Sequence, residues 1–267
     1  MPPLTPDGVV NGTPGNDVIG PGFVDAQGDG VDDATQVFPP RGPFDDIVLA
    51  GEGDDSVVGG AGDDQLWGGA GDDTFVIGDG FGGHRIIGGD EAEVDGDRID
   101  ASGMTEKVSV NIGGGAGTIA RDGQTLEFEG IEAIALGAGD DVVTVVDSTV
   151  GRIDAGDGYD VLMLPDPEPG EDPPVVTVTE TVTNPDGTVT KTGYVTFPDG
   201  SVLEFSGFEN IICFTPGTLI DTDRGPVAVE DLAVGDMVLT RDHGFRPLAW
   251  TGRKALSAAA LAVWPEL

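Results

Sequence analysis

The chain contains few bases, few histidines and a single cysteine. Its 267 residues hold 12 Lys and Arg against 49 Asp and Glu, so the formal net charge is -37. Such a chain repels nucleic acids and anionic membrane surfaces, and we expect no nucleic-acid partner. The single cysteine, Cys213, excludes an intrachain disulfide. With two histidines and neither an HExxH nor a GxSxG motif, the sequence has no hydrolase motif for an external substrate.

Long hydrophobic runs are also missing. The first residues, MPPLTPDGVV, contain no basic stretch and no apolar core, so we expect no Sec-type signal peptide. No apolar run approaches the roughly 18 residues of a membrane span, so we expect no membrane insertion. Two carboxylates about 4 Å apart repel by roughly 4 kcal/mol at an effective dielectric near 20. The crowded acids therefore need counter-ions, and divalent cations are the efficient ones.

Three nine-residue units follow one another between residues 50 and 76: AGEGDDSVV, GGAGDDQLW and GGAGDDTFV. Each fits the pattern G-G-x-G-x-D-x-U-x, where U is a large apolar residue. The glycines allow backbone conformations forbidden to other residues, so their carbonyls can point at one ion, and the aspartates supply carboxylates. Calcium takes about six to eight oxygens from such mixed sources. Val57, Leu66 and Phe75 recur with the same period and can stack into a thin core.

These patterns predict calcium as the cofactor. The predicted ligands in and beside the clear run are Asp46, Gly51, Gly53, Asp55, Gly60, Gly62, Asp64, Gly69, Gly71 and Asp73. Asp46 belongs to a weaker unit, RGPFDDIVL, which has Phe44 where glycine is expected. Isolated units, GTPGNDVIG, LGAGDDVVT and AGDGYDVLM, place Asp17, Asp141 and Asp160 as further ligands. For the isolated units, ordinary Gly-Asp turns between strands are the alternative.

The nonapeptide run resembles the calcium-binding repeats of RTX (hemolysin-type) proteins. The resemblance implies an all-β fold with a parallel β-roll, or solenoid, of two units per coil. Asp55 and Asp73 would then share one edge, and Asp46 and Asp64 the other. It also implies an extracellular location, reached by a type I-like secretion route.

Around the run, the sequence indicates further β-structure. The segment DGQTLEFEGIEAI (122–134) matches DGSVLEFSGFENI (199–211), and both predict a turn, an alternating strand, a glycine break and a short apolar strand. His84 lies among glycines without a second histidine nearby, and we expect it at the surface. The acidic run 25–33 is similar to an EF-hand loop but has Gln36 where a bidentate glutamate is needed, which favours a solvated loop over a metal site.

From Cys213 the sequence reads CFTPGTLIDTDRGPVAVEDLAVGDMVLTRDHGFRPLAWTGRKAL. This closely resembles the opening of a Hint domain, the hedgehog/intein autoprocessing fold. The matching features are the first-position cysteine, the FTPGTLI strand, the VEDLAVGD segment and the VLTRD strand. The resemblance implies that Cys213 attacks the carbonyl of Ile212 in an N-to-S acyl shift, a step suited to a thiolate. A buried structural cysteine, or a decayed site, is the alternative.

We expect the Hint domain to be incomplete within these residues. The family uses a downstream T-x-x-H element and often a histidine–asparagine pair, and no such pair occurs here. The TRDH at 240–243 has the right spelling, but it lies in the early strand region and we interpret it as coincidence. Self-processing is therefore the only enzymatic activity that the sequence suggests, and we expect it to be inefficient in this chain.

The predicted organisation has six parts. They are an N-terminal cap with a degenerate repeat (1–40), the calcium β-roll (41–90), a second β-rich segment (91–164), a stiff acidic linker (165–174), a β-meander (175–212) and the first part of a Hint domain (213–267).

Together these features suggest a secreted bacterial calcium-binding RTX protein with a Hint autoprocessing domain. Its expected partners are calcium ions and its own chain, and no cargo is indicated. The alternative is an extracellular structural or adhesive protein that carries an inert Hint remnant.

Overall fold

A computed structural model describes residues 8–31, 44–165, 172–185, 187–212, 219–228, 232–233, 235–240 and 244–247. Within these ranges every regular element is a β-strand, which confirms the predicted all-β class. No helix in these ranges is long and apolar enough to cross a membrane. The strands are β1 (Val10–Asn11), β2 (Val18–Ile19), β3 (Ile47–Glu52), β4 (Ser56–Val57), β5 (Gln65–Ala70), β6 (Thr74–Val76), β7 (Arg85–Glu91), β8 (Arg98–Asp100), β9 (Ser109–Gly113), β10 (Ala116–Arg121), β11 (Gln124–Glu129), β12 (Ala133–Ala135), β13 (Val142–Val145), β14 (Gly151–Asp154), β15 (Val161–Met163), β16 (Val175–Thr183), β17 (Val189–Thr196), β18 (Val202–Phe208), β19 (Asn210–Ile212), β20 (Leu219–Thr222), β21 (Gly225–Ala228), β22 (Met237–Thr240) and β23 (Gly244–Pro247).

The chain divides into two compact units, which are described separately. The first comprises residues 1–165 and 174–212, and the second comprises residues 166–173 and 213–267. The first unit is built from two sheets. A ten-stranded sheet has the order β1-β3-β5-β7-β11-β10-β9-β13-β15-β19, and a nine-stranded sheet has the order β16-β17-β18-β14-β12-β8-β6-β4-β2. The strands of the predicted 41–90 and 91–164 segments belong to these same two sheets.

In the repeat region, successive strands alternate between the two sheets and pair in parallel with the strand one coil earlier. Thus β3 pairs with β5 and β5 with β7 in one sheet, while β4 pairs with β6 and β6 with β8 in the other. This is the β-roll that the nonapeptides predict. One unit exposes its apolar residue, whereas stacked coils bury it between the sheets.

The core consists of apolar residues in register along each sheet. In the nine-stranded sheet the register aligns seven of them, each buried: Ile19, Val57, Phe75, Ile99, Ile134, Ile153 and Phe205. In the facing sheet Val48, Leu66, Ile86 and Phe128 are aligned and buried in the same way. The predicted stacking residues Val57, Leu66 and Phe75 are all 0% exposed. Strands β3 to β8 each contribute one large buried residue, whereas longer strands contribute more, as β18 does with Leu203, Phe205 and Phe208.

Both copies of the thirteen-residue repeat carry the chain from one sheet to the other. In the first copy β11 lies in the ten-stranded sheet and β12 in the nine-stranded sheet, and in the second copy β18 and β19 make the opposite change. The glycine break has a left-handed backbone in both, with φ of 64° at Gly130 and 85° at Gly207. Antiparallel strands precede each crossing: β9, β10 and β11 in one case, and β16, β17 and β18 in the other.

Close stacking of the coils explains the repeated glycines. Gly69 has a φ of +118°, and a Cβ built on it would lie 2.0 Å from the carbonyl oxygen of Gly51 on the previous coil. The weaker unit tolerates Phe44 at a glycine position only by adopting a φ of 75° there. A non-glycine residue in that region costs about 1–2 kcal/mol. The backbone conformation of the repeat is thus kept even where the glycine is lost.

The described part of the acidic run near the N-terminus forms a structural turn. The Asp25 carboxylate accepts hydrogen bonds from the backbone N–H groups of Gln27, Gly28 and Asp29, at 2.8, 2.9 and 3.0 Å, and from the N–H of Asn11 at 3.1 Å. Burial acts to raise the pKa of Asp25, but these hydrogen bonds outweigh it and lower the pKa. The last two residues of the run, and Gln36 beyond it, lie outside the described residues.

The second unit contains a small antiparallel sheet with the order β21-β20-β22-β23. Thr240 is the last residue of β22, whereas His243 lies outside the described residues. The interpretation of TRDH as coincidence therefore stays a prediction.

The stacking of glycines on carbonyls can be tested with a matched pair of substitutions. Gly69→Ala should lower the free energy of unfolding by about 3 kcal/mol or more, because it combines a left-handed backbone with a clash against the Gly51 carbonyl. Gly78→Ala is the control, since a Cβ at Gly78 meets nothing within 4 Å, and it should change stability by less than about 0.5 kcal/mol. Denaturant unfolding of both variants measures the difference. Equal, small effects would show that the coils are not packed this closely.

Candidate metal centre

The aspartates of the repeats form ladders of hydrogen bonds along the edges of the roll. On the nine-stranded sheet each backbone N–H donates to the carboxylate one coil further on. The steps are Asp17 to Asp55 at 2.7 Å, Asp55 to Asp73 at 2.8 Å, Asp73 to Asp97 at 2.7 Å and Asp97 to Glu132 Oε2 at 2.9 Å. Asp55 and Asp73 therefore lie on one edge, in adjacent coils.

A second ladder runs along the opposite edge. The N–H of Asp46 donates to Asp64 Oδ1 at 2.7 Å, and Asp64 in turn contacts His84, whose Nδ1 lies 3.2 Å from both its backbone nitrogen and its Oδ2. His84 is 3% exposed, so the prediction of a surface histidine is wrong. The reason is a longer coil: 20 residues separate His84 from Asp64, and the imidazole takes the place that an aspartate takes elsewhere.

A third ladder joins the isolated units near the C-terminal end of the roll. The backbone N–H of Val108 donates to Asp141 Oδ1 at 2.7 Å, that of Asp141 to Asp160 Oδ1 at 2.8 Å, and that of Asp160 to Glu209 Oε2 at 2.8 Å. Asp141 and Asp160 are 1% and 0% exposed. The structure therefore places these two aspartates in the same arrangement as those of the clear run, whereas Asp17 remains half-buried.

At several inner aspartates the ladder uses only one carboxylate oxygen. Among the described residues, the second oxygen, Oδ2, has no hydrogen-bond partner at Asp55, Asp73, Asp97 and Asp160, although each of these residues is at most 2% exposed. A buried ionised oxygen without a partner is strongly unfavourable, and a cation is the natural way to satisfy it. The recurrence of the same unsatisfied atom along the roll points to a repeated ion site.

Burial changes the acidity of these groups in the expected direction. Desolvation, reinforced by neighbouring carboxylates, raises the pKa of Asp73 and of Asp141 to about 6, and raises the pKa of Asp97 and of Asp160 to about 7. It also raises the pKa of Asp55. The carboxylates are thus held in a state that favours either a proton or a metal ion.

The surrounding atoms suit a hard cation. A Cβ on Gly68 would lie 2.2 Å from Asp73 Oδ2, and one on Gly88 would lie 2.1 Å from Asp97 Oδ2 and 1.9 Å from the Gly130 carbonyl oxygen. Carboxylate and carbonyl oxygens therefore crowd together where only glycine fits. In the described part of the chain, no three His, Cys, Asp or Glu side chains converge on one metal position. A bound ion would need backbone carbonyls as well, which calcium accepts and soft-ligand metals disfavour.

Of the predicted glycine ligands, Gly51 and Gly69 lie near the ends of β3 and β5, and the other four lie between strands of the roll. Gly51, Gly53, Gly60, Gly62, Gly69 and Gly71 all have positive φ, between 88° and 124°. Their role as ligands stays a prediction, as does that of each predicted aspartate. The predicted nucleophile, Cys213, lies outside the described residues.

Sequence reasoning missed several ladder members. Asp97, Glu132 and Glu209 have no glycine pattern before them, but each keeps the acid-x-apolar core, as in Asp97-Arg98-Ile99, and this shorter signal could have found them. An outer ladder was missed as well, formed by the aspartates at the fifth repeat position. Their Oδ1 atoms accept backbone N–H groups of the following coil, as Asp45 does from Asp63 at 2.9 Å and Asp54 does from Asp72 at 3.1 Å.

Comparison with known families accounts for two parts of the chain. Residues 42–75 match the family model of the RTX calcium-binding nonapeptide repeat (4 copies), and residues 212–267 match that of the Hint domain. Comparison with curated proteins and with solved structures gives no match. The geometry of the roll and these two matches together identify the chain as one that contains RTX calcium-binding nonapeptide repeats and, at its C-terminal end, a Hint domain region.

Proposed function

We propose that the chain is an extracellular calcium-binding RTX protein whose roll is completed by calcium and whose Hint region carries an autoprocessing nucleophile, Cys213. The observation that supports calcium most directly is the recurring buried carboxylate oxygen without a partner, at Asp55, Asp73, Asp97 and Asp160. Calcium would neutralise these oxygens. The residues that would hold it are the inner aspartates of adjacent coils together with glycine carbonyls of the turns.

The charge of the chain supports an extracellular setting. A net charge of -37 opposes compaction through self-repulsion unless cations bind. Extracellular calcium modules work with dissociation constants of about 10⁻⁴–10⁻³ M, which suits the calcium-rich exterior. Folding would then follow export, because the chain gains its counter-ions only outside the cell. The type I-like route belongs to the same proposal.

The role of Cys213 follows from its sequence context and the Hint match. A cysteine at the first position of such a domain can attack the carbonyl of the preceding residue, Ile212, and convert the amide into a thioester. Sequence context supports this nucleophile, but the chain has no histidine–asparagine pair to assist cleavage.

Calcium dependence of folding is the first test. In excess chelator at pH 8 we expect the β-sheet circular dichroism of the 267-residue chain to be largely lost, because the buried carboxylates repel one another. A calcium titration should restore it, and magnesium at equal concentration should restore less, since it dehydrates reluctantly and demands a stricter geometry. An unchanged β-signal in chelator would rule out calcium as a structural requirement.

The raised pKa values determine how the stability of the calcium-free protein changes with pH. In the folded state Asp97 and Asp160 titrate near 7, whereas the ordinary value is 3.8. The folded state therefore binds more protons than the unfolded state between about pH 4 and 7, so the free energy of unfolding falls as pH rises through that window. In calcium-free buffer we therefore expect a larger folded fraction near pH 5 than at pH 8, seen as a stronger β-sheet circular dichroism signal.

The double variant Asp97→Asn, Asp160→Asn should reduce this calcium-free pH dependence, because two of the groups responsible no longer titrate. In saturating calcium the wild-type protein should behave in the opposite way, since the ion binds the deprotonated carboxylates. Circular dichroism over this pH range decides. A calcium-free folded fraction that rises with pH would contradict the burial of these groups.

Self-cleavage is tested by intact-mass measurement after incubation with a thiol. We expect little release of residues 1–212, because a free cysteine, with a reference pKa near 8.5, is only a few per cent thiolate at neutral pH, and because the sequence has no histidine–asparagine pair. Cys213→Ala is the control and should release none. Rapid release from the wild-type chain alone would overturn the expected inefficiency, while equal release from both would exclude Cys213 as the nucleophile.

A further inference from the structure

The roll ends directly at the bond that the Hint nucleophile would attack. Strand β19 pairs in parallel with β15, with Asn210 opposite Val161 and Ile212 opposite Met163. Beyond this register the backbone N–H of Leu164 donates a hydrogen bond of 3.1 Å to the carbonyl oxygen of Ile212. The carbonyl of the Ile212–Cys213 bond is therefore held by the last coil of the roll.

Glu209 anchors this last strand to two other parts of the roll. Its Oε2 accepts the backbone N–H of Asp160 at 2.8 Å, and its Oε1 accepts the hydroxyl of Thr190 at 3.0 Å. The Lys191 ammonium donates to the backbone carbonyl of Glu209. In the next residue, the N–H of Asn210 donates to the Asp160 carbonyl at 3.0 Å. The position of β19 thus depends on the coil that contains Asp160.

Asp160 is the charged centre of that coil. It is 0% exposed, its Oδ1 accepts the N–H of Asp141 at 2.8 Å, and its Oδ2 has no hydrogen-bond partner among the described residues. Asp141, Glu209 and Asp140 all act on it as like charges. Without a cation, repulsion between Asp160 and these carboxylates weakens the attachment of β19, whereas a bound cation would strengthen it.

We propose that calcium bound at Asp160 fixes β19. The hydrogen bond that the Leu164 N–H donates to the Ile212 carbonyl would then depend on calcium. This inference rests on the proposed function of the roll as a calcium binder and of Cys213 as the nucleophile. Asp160 and Glu209 are positioning residues in it, and the Leu164 N–H is the group that contacts the reacting carbonyl. Calcium outside the cell would then control when the processing bond is presented.

The chemistry requires no further reactant. The Cys213 sulfur, after losing its proton to solvent, bonds to the Ile212 carbonyl carbon, and the carbonyl electrons move onto the oxygen that Leu164 holds. When that oxyanion collapses, the bond to the Cys213 nitrogen breaks and the nitrogen takes up a proton. The thioester and the free amine have the same atoms as the starting amide and thiol. A donor already placed at the oxygen stabilises the charge that develops there.

A matched pair of variants separates this step from the rest of the roll. Asp97 is the counterpart of Asp160, because it is also 0% exposed, also has an Oδ2 without a partner, and donates its N–H to Glu132 of the other thirteen-residue repeat. Asp160→Asn should therefore disturb the coil that holds Ile212, and Asp97→Asn should disturb an earlier coil. Two amides report on the two places: Leu164 N–H, and Thr74 N–H, which donates to the Asp55 carbonyl at 2.8 Å.

The experiment is a calcium titration of amide hydrogen exchange, measured by NMR on the full 267-residue chain. In the wild type, calcium should slow the exchange of both amides by at least about tenfold. In Asp160→Asn, the calcium concentration at which the Leu164 amide becomes protected should rise about tenfold over the wild type. The calcium concentration that protects the Thr74 amide should stay within about twofold of the wild type. Asp97→Asn should show the reverse pattern.

The outcomes are distinct. If calcium protects Thr74 but not Leu164 in the wild type, the roll binds calcium and the coupling to Ile212 is wrong. If neither amide responds to calcium, the proposed function itself fails. If both variants shift Leu164 equally, Asp160 has no special role at the junction. Should Asp160→Asn not fold, the wild-type titration still decides between the first two outcomes.

Discussion

The structure depends on how buried carboxylates are compensated between stacked coils. Each inner aspartate gives one oxygen to the backbone of the neighbouring coil, as Asp73 does for Asp55 at 2.8 Å. The other oxygen, as at Asp97 and Asp160, has no hydrogen-bond partner within the described residues. Hydrogen bonds do not satisfy these two carboxylates, because each accepts a backbone N–H only on its Oδ1. In the proposed function each remaining oxygen receives a proton or a cation, and calcium suits the oxygen-rich surroundings.

In the repeat region the core and the carboxylates both depend on contacts between neighbouring coils. Strands β3 to β8 each bury one large apolar side chain, such as Phe75 or Leu66, and glycines pack against carbonyls of the adjacent coil. Apolar burial and the hydrogen bonds between carboxylates and backbone both act between neighbouring coils. Because these contacts join neighbouring coils, the proposed ion at Asp160 would act on the adjacent strand β19.

The clear run could be predicted from the sequence because period and chemistry agree there. Asp46, Asp55, Asp64 and Asp73 recur every nine residues. Their alternation between two edges is what the resemblance to RTX repeats implies, with two units per coil, and the period alone does not show it. A fixed nine-residue period could not find His84 and Asp97 as ladder members, because the coils lengthen there. The step from Asp64 to His84 is 20 residues, and the step from Asp73 to Asp97 is 24. Hydrogen-bond register survives such insertions, whereas a fixed sequence period does not. For the same reason the burial of His84 could not be inferred from its glycine-rich neighbours.

The most direct measurement is a crystal structure of the 267-residue chain grown in calcium, with the ions located by their anomalous scattering. The account predicts calcium at about 2.3–2.6 Å from the Oδ2 atoms of Asp73, Asp97 and Asp160, with glycine carbonyls completing the shell. Calcium bound only by exposed outer aspartates such as Asp63, with the inner Oδ2 atoms still without partners, would contradict it.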